Sequence, residues 1–565
     1  MNKPKPTKMQ SERAKGPPDF IKNESGNDTY KVGAFLGKGG FARCFEVTHE
    51  KTKNVVACKI VSKSLLVKKY QKEKMIQEIR IHRKLKNPHI VKFFASFEDS
   101  DNVYVLLELC KRRSLMEVLK RRGRLTYHET RFFMHQLLEG VSYLHGLRII
   151  HRDLKLGNLL LTEDIQLRIG DFGLATALDS DHDRRRTLCG TPNYIAPEIL
   201  EKSGHSYEVD IWSCGCIIYT LLVGKPPFET EDLQKTYEKI KQVDYKIEKK
   251  FIPTLAHQMI GSMLQKIPSR RPMATALLQH AFFTESPLPQ ALPESILTTE
   301  PRLEPGRRVL REFQGSDVTS IANGIKGLVH VEEQQVALKH IDSLEEQLKA
   351  LMSSKFKETD LLPMDRDDAA DPASMPVYWV SKWVDYTDKY GLGYQLNDNS
   401  LAVLFNDNSR MVLIGSDQSV HFIDHKNVES YHTITDYPKN LEKKVILLKY
   451  FRQYMQQHLM TAGADAPAPR TNAVARLPYL RVWFRTQSAI VLFLSNGTLQ
   501  LNFFRDHTKI ILCPLMGAVS YIDKNNNFRT YSLKTMHERC PSELAVRLKY
   551  AQNICGKVRD HLLKV

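Results

Sequence analysis

The chain has 565 residues, 42% hydrophobic and 26% charged, which excludes a disordered polymer and leaves length for about three to four domains. Its longest apolar run, Cys214 to Gly224, suits a buried helix and is too short to span a bilayer, so no membrane partner is expected. A net charge of +18 suits acidic substrates, phosphorylated partners or nucleic acid, but no nucleic-acid module accompanies it and no direct nucleic-acid binding is expected.

Residues 1–28, rich in Lys, Pro, Ser and Asn, are expected to form a flexible arm. The opening Met1-Asn2-Lys3-Pro4-Lys5-Pro6 lacks the apolar core of a signal peptide. Nine scattered cysteines without paired spacing fit reduced thiols in cytoplasm or nucleus. From Tyr30 the pattern becomes strand, turn, strand, with Val32-Gly33-Ala34-Phe35-Leu36 before Gly37-Lys38-Gly39-Gly40-Phe41-Ala42 and Arg43-Cys44-Phe45-Glu46-Val47 after it. Glycines let a backbone approach the phosphates of ATP and point N–H groups at them. Alone, such a turn is a weak signal.

Val56-Ala57-Cys58-Lys59 then places a lysine on a predicted strand, and an amphipathic helix follows with Glu78 in Met75-Ile76-Gln77-Glu78-Ile79. Taken singly, Lys59 and Glu78 read as solvated surface charges. Their order relative to the next motifs makes them an expected ion pair that orients the lysine toward phosphates. The run Val103 to Cys110 predicts a buried strand leading into a hinge between lobes, where main-chain groups near Glu108 and Cys110 hydrogen-bond adenine.

Residues 151–173 organise the rest. In His151-Arg152-Asp153-Leu154-Lys155-Leu156-Gly157-Asn158, the Asp153 carboxylate can accept the proton of an incoming hydroxyl. Asn158 offers a neutral oxygen ligand to Mg2+, and Asp171 of Asp171-Phe172-Gly173 a charged one. Phosphoryl transfer needs in-line positioning and neutralisation of phosphate charge, which these donors and Lys155 supply. Any one Asp or Asn is commonly a turn residue or helix cap. The ordered set at this spacing is the protein-kinase signature.

An activation segment follows, ending at Ala196-Pro197-Glu198. Within it Arg184-Arg185-Arg186-Thr187 puts a hydroxyl behind three arginines, bait for a basophilic upstream kinase. Phosphate on Thr187 adds about −1.5 to −2 charges, and Arg152 is its expected partner, the loop being ordered by a new charge-assisted pair. Helical signals from Asp210-Ile211-Trp212 to Phe283 complete a catalytic domain over 29–283.

Prolines at 287, 289, 293, 301 and 305 mark a linker over 284–375. Within it Ser343-Leu344-Glu345-Glu346 reads as a capping box opening a short amphipathic helix, with Leu344, Leu348 and Leu351 on the side that packs against a neighbouring domain. Arg307-Arg308-Val309-Leu310 fits an Arg-x-x-Leu degradation signal, a pattern that also arises by chance. From 378 to 560 the chain repeats itself. Leu401 to Ser409 is matched with Ala489 to Gly497, about 88 positions later, Val420 to Asp424 with Val519 to Asp523, and Leu448-Lys449-Tyr450 with Leu548-Lys549-Tyr550. Each copy reads as short antiparallel strands closed by an amphipathic helix, over 376–460 and 476–560 with a short linker at 461–475.

With both halves in view the chain resembles a polo-like kinase of the mitotic polo subfamily. The resemblance rests on Leu36-Gly37-Lys38-Gly39-Gly40-Phe41-Ala42-Arg43-Cys44, Asp153 to Asn158, Thr187 to Tyr194 and Ser381-Lys382-Trp383-Val384-Asp385-Tyr386. It implies a multidomain α+β chain, with a bilobal kinase fold followed by two polo boxes, each an antiparallel sheet with a C-terminal helix. The implied cofactors are ATP and Mg2+, and the implied substrates carry acidic residues around Ser or Thr. The paired boxes are implied to bind Ser-phosphoSer or Ser-phosphoThr segments in a cleft between them, His507 and Lys509 gripping the phosphate and Trp383 and Leu459 lining the groove. Without that resemblance, His507 and Lys509 read as loop residues on a basic surface and Trp383 as core. Centrosome, spindle, kinetochore and midbody during division are the implied locations. Two departures stand out: Met460 replaces the usual groove leucine, and Leu160 stands where an aromatic residue is expected under adenine. Two other readings compete. One is a catalytically dead phosphopeptide scaffold, against which stand Lys59, Asp153 and Asp171; the other is an active kinase whose repeat dimerises or binds unphosphorylated partners, against which stand Trp383, His507 and Lys509.

Overall fold

The computed structural model describes residues 18–23, 28–39, 42–187, 189–247, 252–301, 318–353, 375–414, 418–458, 469, 475–534, 536 and 540–564. The chain divides into two compact units, residues 1–83 with 92–109, and residues 84–91 with 110–565.

The first unit is a six-stranded antiparallel sheet with one helix. Its strands are β1 (Phe20–Asn23), β2 (Asp28–Gly39), β3 (Ala42–His49), β4 (Val55–Ser62), β5 (Phe93–Glu98) and β6 (Asn102–Leu107), ordered β1-β2-β3-β4-β6-β5, and the helix is α1 (Lys69–His82). Side chains alternate across a strand, so Phe45, Val47, Cys58, Ile60, Tyr104 and Leu106 build one face together with Ile21. Ala42, Val61 and Val105 build the other, which Met75 of α1 and Leu66 cover.

In the second unit α2 (Leu115–Arg122) and α3 (Tyr127–Gly146) precede the hairpin β7 (Leu159–Leu161) and β8 (Leu167–Ile169). A capping box starts α3: Thr126 Oγ1 accepts from the Glu129 N–H, and Glu129 accepts from the Thr126 N–H. The apolar run becomes α4 (Glu208–Val223), whose residues Val209 to Leu222 are all buried, as a helix apolar on every side must be. It stops at Gly224, whose φ of +95° and close approach to the Gly123 carbonyl leave no place for a Cβ.

The linker helix differs from its expectation. It is α5 (Val318–Ser353), and Ser343 lies well inside it, accepting from the Gln347 side chain rather than capping a start. A capping-box pattern is local and also occurs on a helix surface, where the preceding turns already satisfy the N–H groups. Leu344, Leu348 and Leu351 do face one neighbour, with Ala337 and Ile341 beside them in the core of the second repeat copy.

Each copy is a six-stranded antiparallel meander. The first comprises β9 (Val380–Tyr386), β10 (Gly391–Leu396), β11 (Leu401–Phe405), β12 (Arg410–Leu413), β13 (Ser419–Ile423) and β14 (Glu429–Thr433), then α6 (Glu442–His458). The second comprises β15 (Leu480–Arg485), β16 (Ala489–Leu494), β17 (Leu499–Phe503), β18 (Lys509–Cys513), β19 (Ala518–Ile522) and β20 (Phe528–Ser532), then α7 (Ser542–Lys564). α6 covers Leu401, Val403, Met411 and Val420 of the first sheet. α5 and α7 together cover Val491, Leu501, Ile510 and Val519 of the second.

These strands correct the repeat register. The match of Leu401 to Ser409 with Ala489 to Gly497 pairs the third strand of one copy with the second strand of the other. By strand order Gly391–Leu396 corresponds to Ala489–Leu494, a separation of about 98 positions that agrees with the two other matches. The corresponding turns place Asn399 (φ 68°) and Gly497 (φ 83°) in the left-handed conformation. Apolar strands beside Asn/Asp turns look alike, so identity alone slipped by one hairpin. No described helix is long and apolar enough to cross a membrane.

Candidate active site

In the first unit the glycine turn sits where β2 meets β3, with Gly37 opposite Cys44, Lys38 opposite Arg43 and Gly39 opposite Ala42. Gly40 and Phe41 lie outside the described residues. A Cβ on Gly37 or Gly39 would touch nothing within 4 Å, so packing within the protein does not require these glycines, and the turn leaves open space for a group to approach its backbone. Lys59 is on β4, opposite Cys44, and its Nζ donates to Glu78 Oε1 of α1 at 2.5 Å, both side chains largely buried. One residue before the end of this unit, the Glu108 N–H donates to the Lys92 carbonyl.

In the second unit the loop after α3 is built around Asp153, which is 8% exposed. Its Oδ2 accepts from Lys155 Nζ at 2.8 Å and its Oδ1 from Thr191 Oγ1 at 2.7 Å. Lys155 Nζ also donates to Thr191 Oγ1 at 2.8 Å. Asn158 Nδ2 donates to the Asp153 carbonyl at 2.8 Å and to Oδ2 at 3.2 Å. That orientation turns the Asn158 amide oxygen away from Asp153, which suits a metal ligand. Asp171 is exposed and accepts from the Gly173 N–H at 3.3 Å. One amide oxygen and one carboxylate fit Mg2+, which keeps waters and takes its remaining oxygens from phosphates. Cys110 accepts from the Arg113 N–H. Leu160 of β7 is half-buried beside Gly170.

Asp210, at the start of α4, was missed in the sequence. Fully buried, it accepts from His145 Nε2 at 3.0 Å, the His151 N–H at 2.9 Å and the Arg152 N–H at 2.8 Å. Burial pushes its carboxyl up, but the hydrogen bond and charge of His145 and the charge and N–H of His151 outweigh it, and it stays below the usual carboxylate range. It thereby fixes the loop that carries Asp153. Arg152 and Asp171, at φ of 66° and 59°, hold a backbone conformation that L-residues avoid, as functional sites often do. Thr191, inside the stretch Thr187 to Tyr194, carries no signal of its own in the sequence. Glu198 and Arg271 form a buried pair at 2.6 Å, with Arg271 lying 4.9 Å over the Trp212 ring. Thr187 is exposed and makes no hydrogen bond to Arg152.

Trp383 lies half-buried on β9, with the Arg485 guanidinium 5.4 Å over its ring and Arg485 paired to Asp385 at 2.9 Å. Gln500 of β17 clamps the start of β9: its Oε1 accepts from the Val380 N–H and its Nε2 donates to the Val380 carbonyl, both at 2.8 Å. Two residues on, Asn502 pairs with Lys509 in the sheet register. The Trp383 strand and the Lys509 sheet are therefore brought together through Gln500, for which the sequence carried no signal. His507 is exposed at φ 58° in the turn before β18. Burial pushes the Lys509 ammonium down, a shift that an arriving anion reverses. Leu459 and Met460 lie outside the described residues.

The protein kinase domain family matches residues 30–283, and the POLO box duplicated region matches 388–445 and 486–548. Serine/threonine-protein kinase PLK1 of Xenopus laevis is 49% identical over 559 residues, covering 96% of this chain and 93% of that protein. Serine/threonine-protein kinase polo of Drosophila melanogaster is 46% identical, covering 96% and 98%. Serine/threonine-protein kinase PLK2 of Mus musculus is 34% identical, covering 93% and 88%.

Proposed function

Because the chain belongs to the polo-like kinases, serine/threonine protein kinases that use ATP and carry a duplicated polo box, we propose that it phosphorylates acidic Ser/Thr sites on proteins already marked by other kinases. Asp153 orients the substrate hydroxyl and takes its proton. Lys155 neutralises the phosphoryl group in transit, and Lys59, held by Glu78, pairs with the α- and β-phosphates. Leu36 to Cys44 cover the phosphates, and Glu108 and Cys110 read adenine through main-chain groups. Asn158 and Asp171 would hold Mg2+, which would neutralise phosphate charge there. The observation that carries this reading is the network Lys155–Asp153–Asn158 closed by Thr191 and fixed from below by Asp210.

Phosphate on Thr187, added by a basophilic kinase and paired with Arg152, switches the enzyme on. The boxes, 376–460 and 476–560 in our partition, dock it through Trp383, Leu459, His507 and Lys509 to Ser-phosphoThr segments. That docking would carry it to centrosome, spindle, kinetochore and midbody in dividing cells. The test is phosphate transfer from Mg-ATP to an acidic Ser/Thr peptide by the full chain. Asp153→Asn is expected to lower kcat at least about 100-fold with ATP binding retained. A wild-type chain that stays inactive after Thr187 is phosphorylated would leave a phosphopeptide-binding scaffold instead.

A further inference from the structure

The segment that carries Thr187 is tied to the chain ahead of α4 by one short bridge. The Arg185 N–H donates to the His205 carbonyl and the His205 N–H to the Arg185 carbonyl, both at 2.9 Å. Beside the bridge, Gly204 at φ +96° packs against the Arg184 stem. His205 is 2% exposed. Among the described residues neither its Nε2 nor the buried Arg185 Nε has a hydrogen-bond partner. A buried imidazole nitrogen and a buried guanidinium N–H without partners on two bridged residues can each donate to a group that arrives later.

The local charge states which kind of group. Arg184 is bound by Glu208 at 2.8 and 3.0 Å. Arg185 NH2 is held by the Ala177 carbonyl at 2.7 Å and by Asp183 at 3.0 Å. Arg152 has its Nε on the Leu174 carbonyl at 2.8 Å, and among the described residues no carboxylate pairs with its guanidinium. Burial pushes it down, Cys189 and Asp210 offset that, and Arg185 adds like-charge repulsion. His205 faces Arg152 and Arg184 on the cationic side and Asp210 and Glu208 on the anionic side. Burial first and Arg152 second press its imidazole down to about 4. Thr187 is two residues past Arg185, within about 7 Å of chain. Among the described residues the Arg152 guanidinium is the one of these three arginine groups left without a paired carboxylate.

We propose that His205 and Arg185 complete, with Arg152, a preformed site for the phosphate of Thr187, and that His205 takes up a proton when the phosphate docks. This rests on the reading of Thr187 as the activating phosphosite and adds a regulation to it. A dianion between Arg152 and His205 replaces repulsion by attraction and raises the imidazole. Docking is then proton-coupled: tighter near neutrality, weaker as pH rises past the new histidine value.

The experiment follows the imidazole Cε1–H and the 31P resonance of the full chain against pH, with Thr187 phosphorylated and unphosphorylated. On phosphorylation His205 is expected to titrate above its ordinary value of about 6.5. The phosphate should titrate below its ordinary value of about 6, returning toward it in His205→Gln. The activation conferred by phosphorylation should shrink about tenfold in His205→Gln, with unphosphorylated activity unchanged. A His205 resonance indifferent to phosphorylation overturns the proposal and needs no variant. Phosphorylated wild type no more active than Thr187→Ala overturns the activation reading itself, whereas normal activation with an indifferent His205 removes this site alone.

Discussion

A half-buried histidine shows how one residue sets a pH limit. His340 of α5 packs on Gly497, where a Cβ would strike its ring. Burial and then the Arg481 charge push its imidazole down to about 4. The unfolded chain takes up that proton near 6.5, so the contribution is complete above about pH 6.5 and lost as pH falls toward 4. The predicted loss at pH 5 is about 2 kcal/mol, read as a drop in urea midpoint relative to pH 7 that His340→Gln flattens. An identical pH slope in both proteins would assign the effect elsewhere. The same scale explains what the sequence hid. Asp153, Asn158 and Asp171 stand out in the sequence because phosphoryl transfer asks for those residue types at that spacing. Asp210 was not, since an Asp at a helix start is equally a cap, and its three donors come from residues 145, 151 and 152.

Among the elements, α5 shows how a pattern can be right about a face and wrong about an end. Leu344, Leu348 and Leu351 repeat at helical spacing, and that spacing found the buried stripe. The start of the helix depends on turns further upstream, which a four-residue box does not report. α5 is as much part of the second box as α7: Arg559 of α7 pairs with Asp342 at 2.7 Å, and Gln334 of α5 donates to the Leu562 carbonyl. Leu348, at 0% exposure, lies in that core. Leu348→Ala is predicted to lower stability by about 2–5 kcal/mol, measured as a shift in denaturant midpoint with kinase activity of the folded fraction retained. A shift below about 0.5 kcal/mol would mean that the helix is detached in solution.

At the scale of the whole molecule, Gln500 ties the strand that carries Trp383 to the sheet that carries Lys509. The His507→Ala/Lys509→Met double variant is predicted to weaken Ser-phosphoThr peptide binding to the full chain at least about tenfold. Calorimetric titration beside the unphosphorylated peptide checks it, and raised salt should weaken wild-type binding in the same direction. Equal affinity for the two peptides would favour an unphosphorylated partner. By itself the sequence determined the family, the kinase domain and the duplication that follows it, and it marked the strand–turn–strand around the glycines and the apolar stripe of α5. Each of these is written in residue types at short, fixed spacing. Tertiary structure alone decided which distant groups meet: Asp210 with the His151 and Arg152 amides, Glu198 with Arg271, Gln500 with Val380, Arg185 with His205. It also decided which hairpin of one box answers which hairpin of the other. Such pairings depend on where the chain returns to itself, and a buried hydrogen-bonding group leaves no periodicity in the sequence by which its partner could be read.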